Sequence, residues 1–176
     1  QALIDRHGLI FIKPLFRGGV GKKGKAGLIG RARDLKTALA EKERLYFAEH
    51  RHGNACAKAN GVTYEAGVPA EHEVYFSITD DTRYRAPTMT LTHRGGVDIE
   101  ELDKGDVATV PFDALTGLKA FVVANALSDI GAPREIISPL VQHLPKLWEL
   151  MHHYGMTTLE QNPLRMRVDR GGRPRA

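Results

Sequence analysis

Apolar and polar positions along the chain form two patterns that predict strands. Apolar residues fill 9–16 except at Lys13, and apolar and polar residues alternate over 73–78. The first pattern is typical of a buried strand and the second of a half-buried one. A further strand is predicted to end near Glu65, and a turn after the alternating strand leads to a return strand at 88–96.

Helical spacing of apolar residues appears in three longer segments. Asp34 is a suitable N-cap for a helix over 34–50, and further helices are predicted over 115–130 and 133–154. The segment 156–176 reads as strand, turn, strand and turn. Strands and helices in this mixed order predict an α+β fold. The residues expected to face the core from the first helix are Leu35, Leu39, Leu45 and Phe47.

The composition supports a folded protein and restricts its surroundings. Of 176 residues, 42% are hydrophobic, which is enough to bury a core. The single cysteine, Cys56, excludes an internal disulfide, and no apolar run approaches the roughly 18 residues that a membrane helix needs. We therefore expect a cytoplasmic protein with no membrane partner. A net charge of +4 permits an anionic ligand but does not by itself indicate nucleic acid.

A basic loop rich in glycine follows the first strand. Residues 17–30 read RGGVGKKGKAGLIG, with six glycines and four cationic side chains. The Walker motif is absent because Lys25 is followed by Ala26, and strand-like residues occupy the place where a dinucleotide fingerprint would begin a helix. A flap over phosphates remains, with a merely mobile basic loop as the alternative. We expect residues 17–27 to be mobile without nucleotide.

Five polar residues on the predicted strands extend this picture. Lys13 interrupts an apolar strand, where its ammonium group needs an anionic partner or a route to solvent. Glu65 ends one strand and Glu73 begins the next, so both can accept hydrogen bonds from one ligand. Glu160 and Asn162 alternate on a strand and project to the same side. Oxygen ligands of this kind suit Mg²⁺ that enters with a nucleotide.

The order of several motifs resembles the ATP-grasp region of succinyl-CoA synthetase and ATP-citrate lyase, from about residue 9 to the end. The resemblance implies an ATP-grasp fold, with two α+β lobes around a nucleotide cleft. It also implies a ligase that uses ATP, or GTP, with Mg²⁺ to phosphorylate a histidine on a CoA-binding partner subunit or domain, on the way to an acyl-CoA thioester. The motifs are IKP, GKKGKAGLIG, YEAGVPAEHEVYFSI, HRGGVDIEELD, FDALTGL and LEQNPLRMRVDRGG.

The resemblance also assigns roles to individual residues. Asn162 is expected to bind Mg²⁺, and Glu160 is expected to face the phosphohistidine loop of the partner as a catalytic residue. The nucleotide residues are Lys13, Lys22, Lys23 and Gly24 at the phosphates, Glu65 and Val68 at the adenine, and Glu73 at the ribose.

The sequence departs from the family pattern in three respects. Lys22 stands where the synthetases usually have glycine, and Gln161 replaces an apolar residue. The second, acidic metal ligand is expected beyond Ala176. We therefore interpret residues 1–176 as one ATP-grasp nucleotide-binding domain, cut at both ends from a longer chain and inactive alone.

Two other functions remain open at this stage. One is an ATP-grasp ligase that joins a carboxylate to an amine. The other is a basic nucleic-acid-binding module, suggested by the basic loop and the five arginines in 165–175. A solvated hairpin explains those arginines better, because no aromatic residues are interleaved for base stacking.

Overall fold

A computed structural model of the chain describes residues 1–17, 26–52, 55–96, 99–168 and 174–175. The chain divides into two compact units, Gln1–Pro69 and Ala70–Ala176. Each unit combines helices with an antiparallel sheet, which confirms the predicted α+β class.

Unit 1 is a four-stranded antiparallel sheet with two helices. Its strands lie in the order β2-β1-β4-β3, so the first long strand is central. The structure confirms β1 where the apolar run predicted it. The elements are α1 (Ala2–His7), β1 (Ile10–Phe16), β2 (Gly30–Ala32), α2 (Leu35–Tyr46), β3 (Glu49–His52) and β4 (Ala55–Ala66).

Helix α2 begins as predicted but packs through other residues. The Asp34 side chain accepts hydrogen bonds from the Thr37 N–H and the Thr37 hydroxyl, each at 2.8 Å. Both bonds lower the Asp34 pKa. The helix ends at Tyr46 rather than at residue 50, because the next residues form β3. Only Leu45 of the predicted apolar face is buried, together with Ala38. The prediction was wrong for Leu35, Leu39 and Phe47, which are exposed.

Unit 2 is a five-stranded antiparallel sheet in the order β7-β6-β5-β8-β9, packed against two helices. Helix α4 has nearly the predicted bounds and buries its apolar stripe, whereas α3 starts five residues later than predicted, after a turn capped by Asp113. The elements are β5 (His72–Asp81), β6 (Ala86–Thr92), β7 (Ala108–Pro111), α3 (Ala120–Asp129), α4 (Arg134–His153), β8 (Thr158–Val168) and β9 (Pro174–Arg175).

The two faces of the unit 2 sheet differ in character. Val74, Phe76 and Ile78 are fully buried in the core with α3 and α4, which confirms the alternation predicted for β5. Their neighbours Glu73 and Ser77 project to the opposite face, because side chains alternate along a strand.

The segment 156–176 contains two antiparallel strands, as predicted, and the first of them, β8, is continuous over Thr158–Val168. Its register against β5 shifts by one residue between the pairs Phe76–Gln161 and Val74–Leu164. The extra residue forms a β-bulge that contains Pro163. A bulge tolerates proline because one position there makes no ladder hydrogen bond.

Residues 18–25, most of the basic loop, lie outside the described residues, so the predicted mobility of that loop stays a prediction. Among the helices of the described ranges, none is long and apolar enough to cross a membrane.

Candidate functional site

The second face of the unit 1 sheet, opposite the core, carries an ion pair between two predicted site residues. Lys13 Nζ lies 2.5 Å from Glu65 Oε2. Lys13 is paired with Thr63 and Phe11 with Glu65, so the two charged side chains are diagonal neighbours on adjacent strands. The Lys13 and Glu65 side chains are 35% and 48% exposed, so both stay open to solvent.

Two further features of unit 1 lie near this pair. Phe11 is opposite Glu65 on the neighbouring strand, and the Arg31 guanidinium lies 5.5 Å from the centre of its ring. Val68 follows the end of β4, and its backbone N–H donates to the Ala66 carbonyl at 3.0 Å. This side of the sheet therefore offers a cation, a carboxylate and an aromatic ring within two strands.

In unit 2 the predicted Glu73 forms a second cross-strand ion pair. Arg165 Nη2 donates to Glu73 Oε1 at 2.8 Å, and the two residues stand directly opposite each other on β8 and β5. The Gly95 N–H donates to the Glu73 carbonyl at 2.7 Å, which ties the segment after β6 to the start of β5. The sequence indicated Glu73 but gave no reason to select Arg165.

The polar face of unit 2, defined here by Glu73, Ser77, Glu160, Asn162 and Arg165, gathers the remaining predicted residues. Glu160 lies opposite Ser77, and the bulge residues Asn162 and Pro163 lie opposite Tyr75, which alternates to the same side of the sheet as Ser77. Both side chains are exposed. The structure therefore brings Glu73, Glu160 and Asn162 together on one face of two adjacent strands.

The histidine that directly follows β6, His93, has a lowered pKa. Burial lowers the His93 pKa from its ordinary 6.5, Arg94 adds to the effect, and Asp106 opposes it. Arg94 itself forms a 2.7 Å ion pair with Asp106. Within the described residues, His93 Nδ1 is buried without a hydrogen-bond partner. These observations favour a structural role for His93 beside Gly95.

The predicted flap residues Lys22, Lys23 and Gly24 lie outside the described residues. Across the part of the chain that the structure describes, no three His, Cys, Asp or Glu side chains are grouped to hold a metal. A shallow groove of about 450 Å³ in unit 2 contains none of the predicted site residues. Its lining includes Asp80, Asp81, Arg85, Pro87, Ala114 and Trp148.

Comparisons with known proteins agree with the resemblance seen in the sequence. The chain is 27% identical over 157 residues to a succinate–CoA ligase [ADP-forming] subunit beta of Desulfatibacillum aliphaticivorans, covering 88% of this chain and 41% of that protein. It is 29% identical over 147 residues to an ADP-forming sulfoacetate-CoA ligase subunit of Bilophila wadsworthia, covering 82% and 38%. The chain thus spans about two fifths of the length of these relatives.

A solved structure and a family model give the fold. The structure of ATP citrate lyase from Methanothrix soehngenii, in complex with citrate and coenzyme A, matches with a TM-score of 0.72 and 22% identity. That match covers 95% of this chain and 37% of the lyase chain. The sequence model of the ATP-grasp domain matches residues 15–166, which include parts of both units. The chain belongs to the ATP-grasp family.

Proposed function

We propose that this chain binds ATP and Mg²⁺ as the nucleotide-binding part of an ADP-forming carboxylate–CoA ligase. The observation that carries the proposal is that Glu73, Glu160 and Asn162 share the polar face of unit 2, although 87 residues separate the first from the second in the sequence. The match to the ATP-grasp family and the names of the relatives support the same function.

The proposed nucleotide contacts are assigned residue by residue within each unit. In unit 1, Lys13 would contact the phosphates, while Glu65 and the backbone at Val68 would contact the adenine. In unit 2, Glu73 would accept a hydrogen bond from the ribose. Lys22, Lys23 and Gly24 would cover the phosphates.

Mg²⁺ fits the oxygen donors of the polar face. The Asn162 amide oxygen is an acceptable ligand, and phosphate oxygens and water can supply most of the others, as is usual for Mg²⁺. The exposed Asn162 side chain leaves room for those ligands. When bound, Mg²⁺ neutralises charge on the phosphates. Glu160, two residues before Asn162 on the same face, would approach the partner's histidine.

The proposed reaction is phosphoryl transfer to a histidine on a CoA-binding partner subunit or domain. The imidazole nitrogen bonds to the terminal phosphorus of ATP, the bond from that phosphorus to the bridging oxygen breaks, and ADP leaves. Lys13 would stabilise the negative charge of the transferring group. The acid that finally forms the thioester is left open, because the relatives are named for different acids, succinate and sulfoacetate.

Isothermal titration calorimetry with ATP and GTP, each with and without MgCl₂, tests this function. We expect ATP to bind more tightly with Mg²⁺, and the Asn162→Ala variant to lose that enhancement. Gln161→Ala, an exposed neighbour on the same strand, is the control and should keep it. Failure of the wild type to bind either nucleotide would refute the proposal. Tighter binding of GTP than of ATP would make GTP the nucleotide of the proposed reaction.

A further inference from the structure

The ion pair between Arg165 and Glu73 joins a residue with no proposed role to one proposed for ribose binding. Arg165 Nη2 and Glu73 Oε1 are 2.8 Å apart, and their side chains are 38% and 33% exposed. The two residues are directly opposite in the register of β5 and β8, so the backbone of the sheet holds them together. Arginine only donates hydrogen bonds, whereas a carboxylate only accepts them. The guanidinium therefore occupies Oε1 and leaves Oε2 as an acceptor.

The glycines Gly95 and Gly96 limit the space around the second carboxylate oxygen of Glu73, Oε2. A Cβ atom on Gly96, whose φ is +76°, would clash with Glu73 Oε2. A Cβ on the preceding Gly95 would come within 2.7–2.8 Å of backbone atoms of Glu73 and Val74. The two glycines thus let the segment after β6 lie against the start of β5. Arg165 on one side and Gly96 on the other fix the direction of the carboxylate.

We propose, on the basis of the nucleotide binding proposed for this chain, that Arg165 is a positioning residue that sets specificity for the ribose. By holding Oε1, it aims Oε2 at one ribose hydroxyl group. A nucleotide that lacks this hydroxyl leaves the carboxylate oxygen unpaired, and a site built to pair with a hydroxyl discriminates strongly against analogues without it. Without Arg165 the carboxylate can rotate, so the discrimination decreases while the rest of the nucleotide still binds.

Calorimetry with ATP, 2′-deoxyATP and 3′-deoxyATP tests this role. We expect the wild type to bind ATP at least about tenfold more tightly than one of the two analogues, the ratio typical of a hydrogen bond to a charged group. In Arg165→Met this ratio should fall to about threefold or less, with little change in affinity for the disfavoured analogue. Arg165→Lys keeps a cationic donor and should restore part of the ratio, whereas Glu73→Gln should lose it.

Arg167→Met is the matched control, because Arg167 is exposed two residues further along the same strand. It should keep the wild-type ratio. Should Arg165→Met fail to fold, Arg165→Leu, which also lacks a hydrogen-bond donor, carries the same expected loss. An unchanged ratio in the folded Arg165 variant, or equal weakening of all three nucleotides, would overturn the role of Arg165 alone. A wild type that binds no ATP would overturn the proposed function as well.

Discussion

Replacing Lys13 by Met should weaken ATP binding strongly while changing the stability of the fold little. Lys13 is on the face of β1 opposite the core, and its ammonium group pairs with Glu65 at 2.5 Å. Methionine keeps an unbranched apolar stem of similar length but removes the charge. The variant therefore separates the contribution of Lys13 to binding from its contribution to folding.

The two magnitudes follow from the exposure of the pair. With side chains 35% and 48% exposed, the ion pair should stabilise the fold by about 0.2–1 kcal/mol, as partly solvated pairs do. A hydrogen bond from the ammonium group to a phosphate is worth about 1.5–3 kcal/mol, or about 10- to 150-fold in affinity. An ammonium group has three donors, so Lys13 can keep Glu65 while it binds phosphate. In the variant, the unpaired Glu65 carboxylate also repels the phosphates, which moves the loss towards the upper value.

Titration calorimetry with ATP and MgCl₂, together with urea unfolding, measures both effects. Lys58→Met is the matched control, because Lys58 forms a cross-strand ion pair of 3.1 Å with Glu49 in the same sheet. It should leave the affinity for ATP unchanged. Adding Glu65→Gln to the Lys13 variant should recover part of the lost affinity by removing the repulsion. The reasoning fails if the Lys13 and Lys58 variants bind ATP equally well, or if Lys13→Met destabilises the fold by more than about 2 kcal/mol.

Three further predictions concern the fold around the site. Leu127→Ala should lower the free energy of unfolding in urea by about 2–5 kcal/mol, because Leu127 is fully buried. Leu115→Ala, at a residue 97% exposed, should change it by less than about 0.5 kcal/mol, and equal losses would contradict the core assignment. Burial lowers the His93 pKa below its unfolded value of 6.5, so the unfolded chain takes up this proton first as the pH falls. The free energy of unfolding should therefore be retained above pH 6.5 and decline below it, and His93→Gln should reduce this decline. Gly95→Ala should lower the melting temperature and the affinity for ATP together, since its Cβ would come within 2.8 Å of the backbone of β5; an unchanged melting temperature would show that the segment after β6 can move away.

The sequence predicted best where one pattern alone determines an element. The alternation along β5 and the apolar stripe of α4 were confirmed, because each set of side chains faces a single core. Helix α2 shows where pattern reading is insufficient. Its leucines at 35 and 39 have the right spacing for a buried face, but the helix packs on the sheet through Ala38 and Leu45. Packing between elements decides which face of a short helix contacts a sheet. The sequence of the helix alone does not determine that face.

The sequence predicts individual residues of the candidate site but not the ion pairs that they form. The sequence predicts a ligand contact for Lys13 and for Glu65, yet the contact between these two side chains depends on the register between β1 and β4. The sequence also predicts a ligand contact for Glu73, whereas Arg165 is only one of five arginines in 165–175. A cross-strand partner becomes visible once the register is known, since it can be far away in the sequence.

The bulge in β8 explains why Arg165 was missed and why it can act on Glu73. In a regular strand, residues 160, 162 and 164 would share one face, and Arg165 would point into the core with the opposite set. The shift of one residue at Pro163 reverses this order, so Leu164 and Met166 pack in the core and Arg165 projects to the polar face. The same bulge leaves Asn162 on that face, before the reversal. One irregularity in a single strand therefore sets both the proposed metal ligand and the partner of the proposed ribose ligand, and it keeps the core of unit 2 apolar.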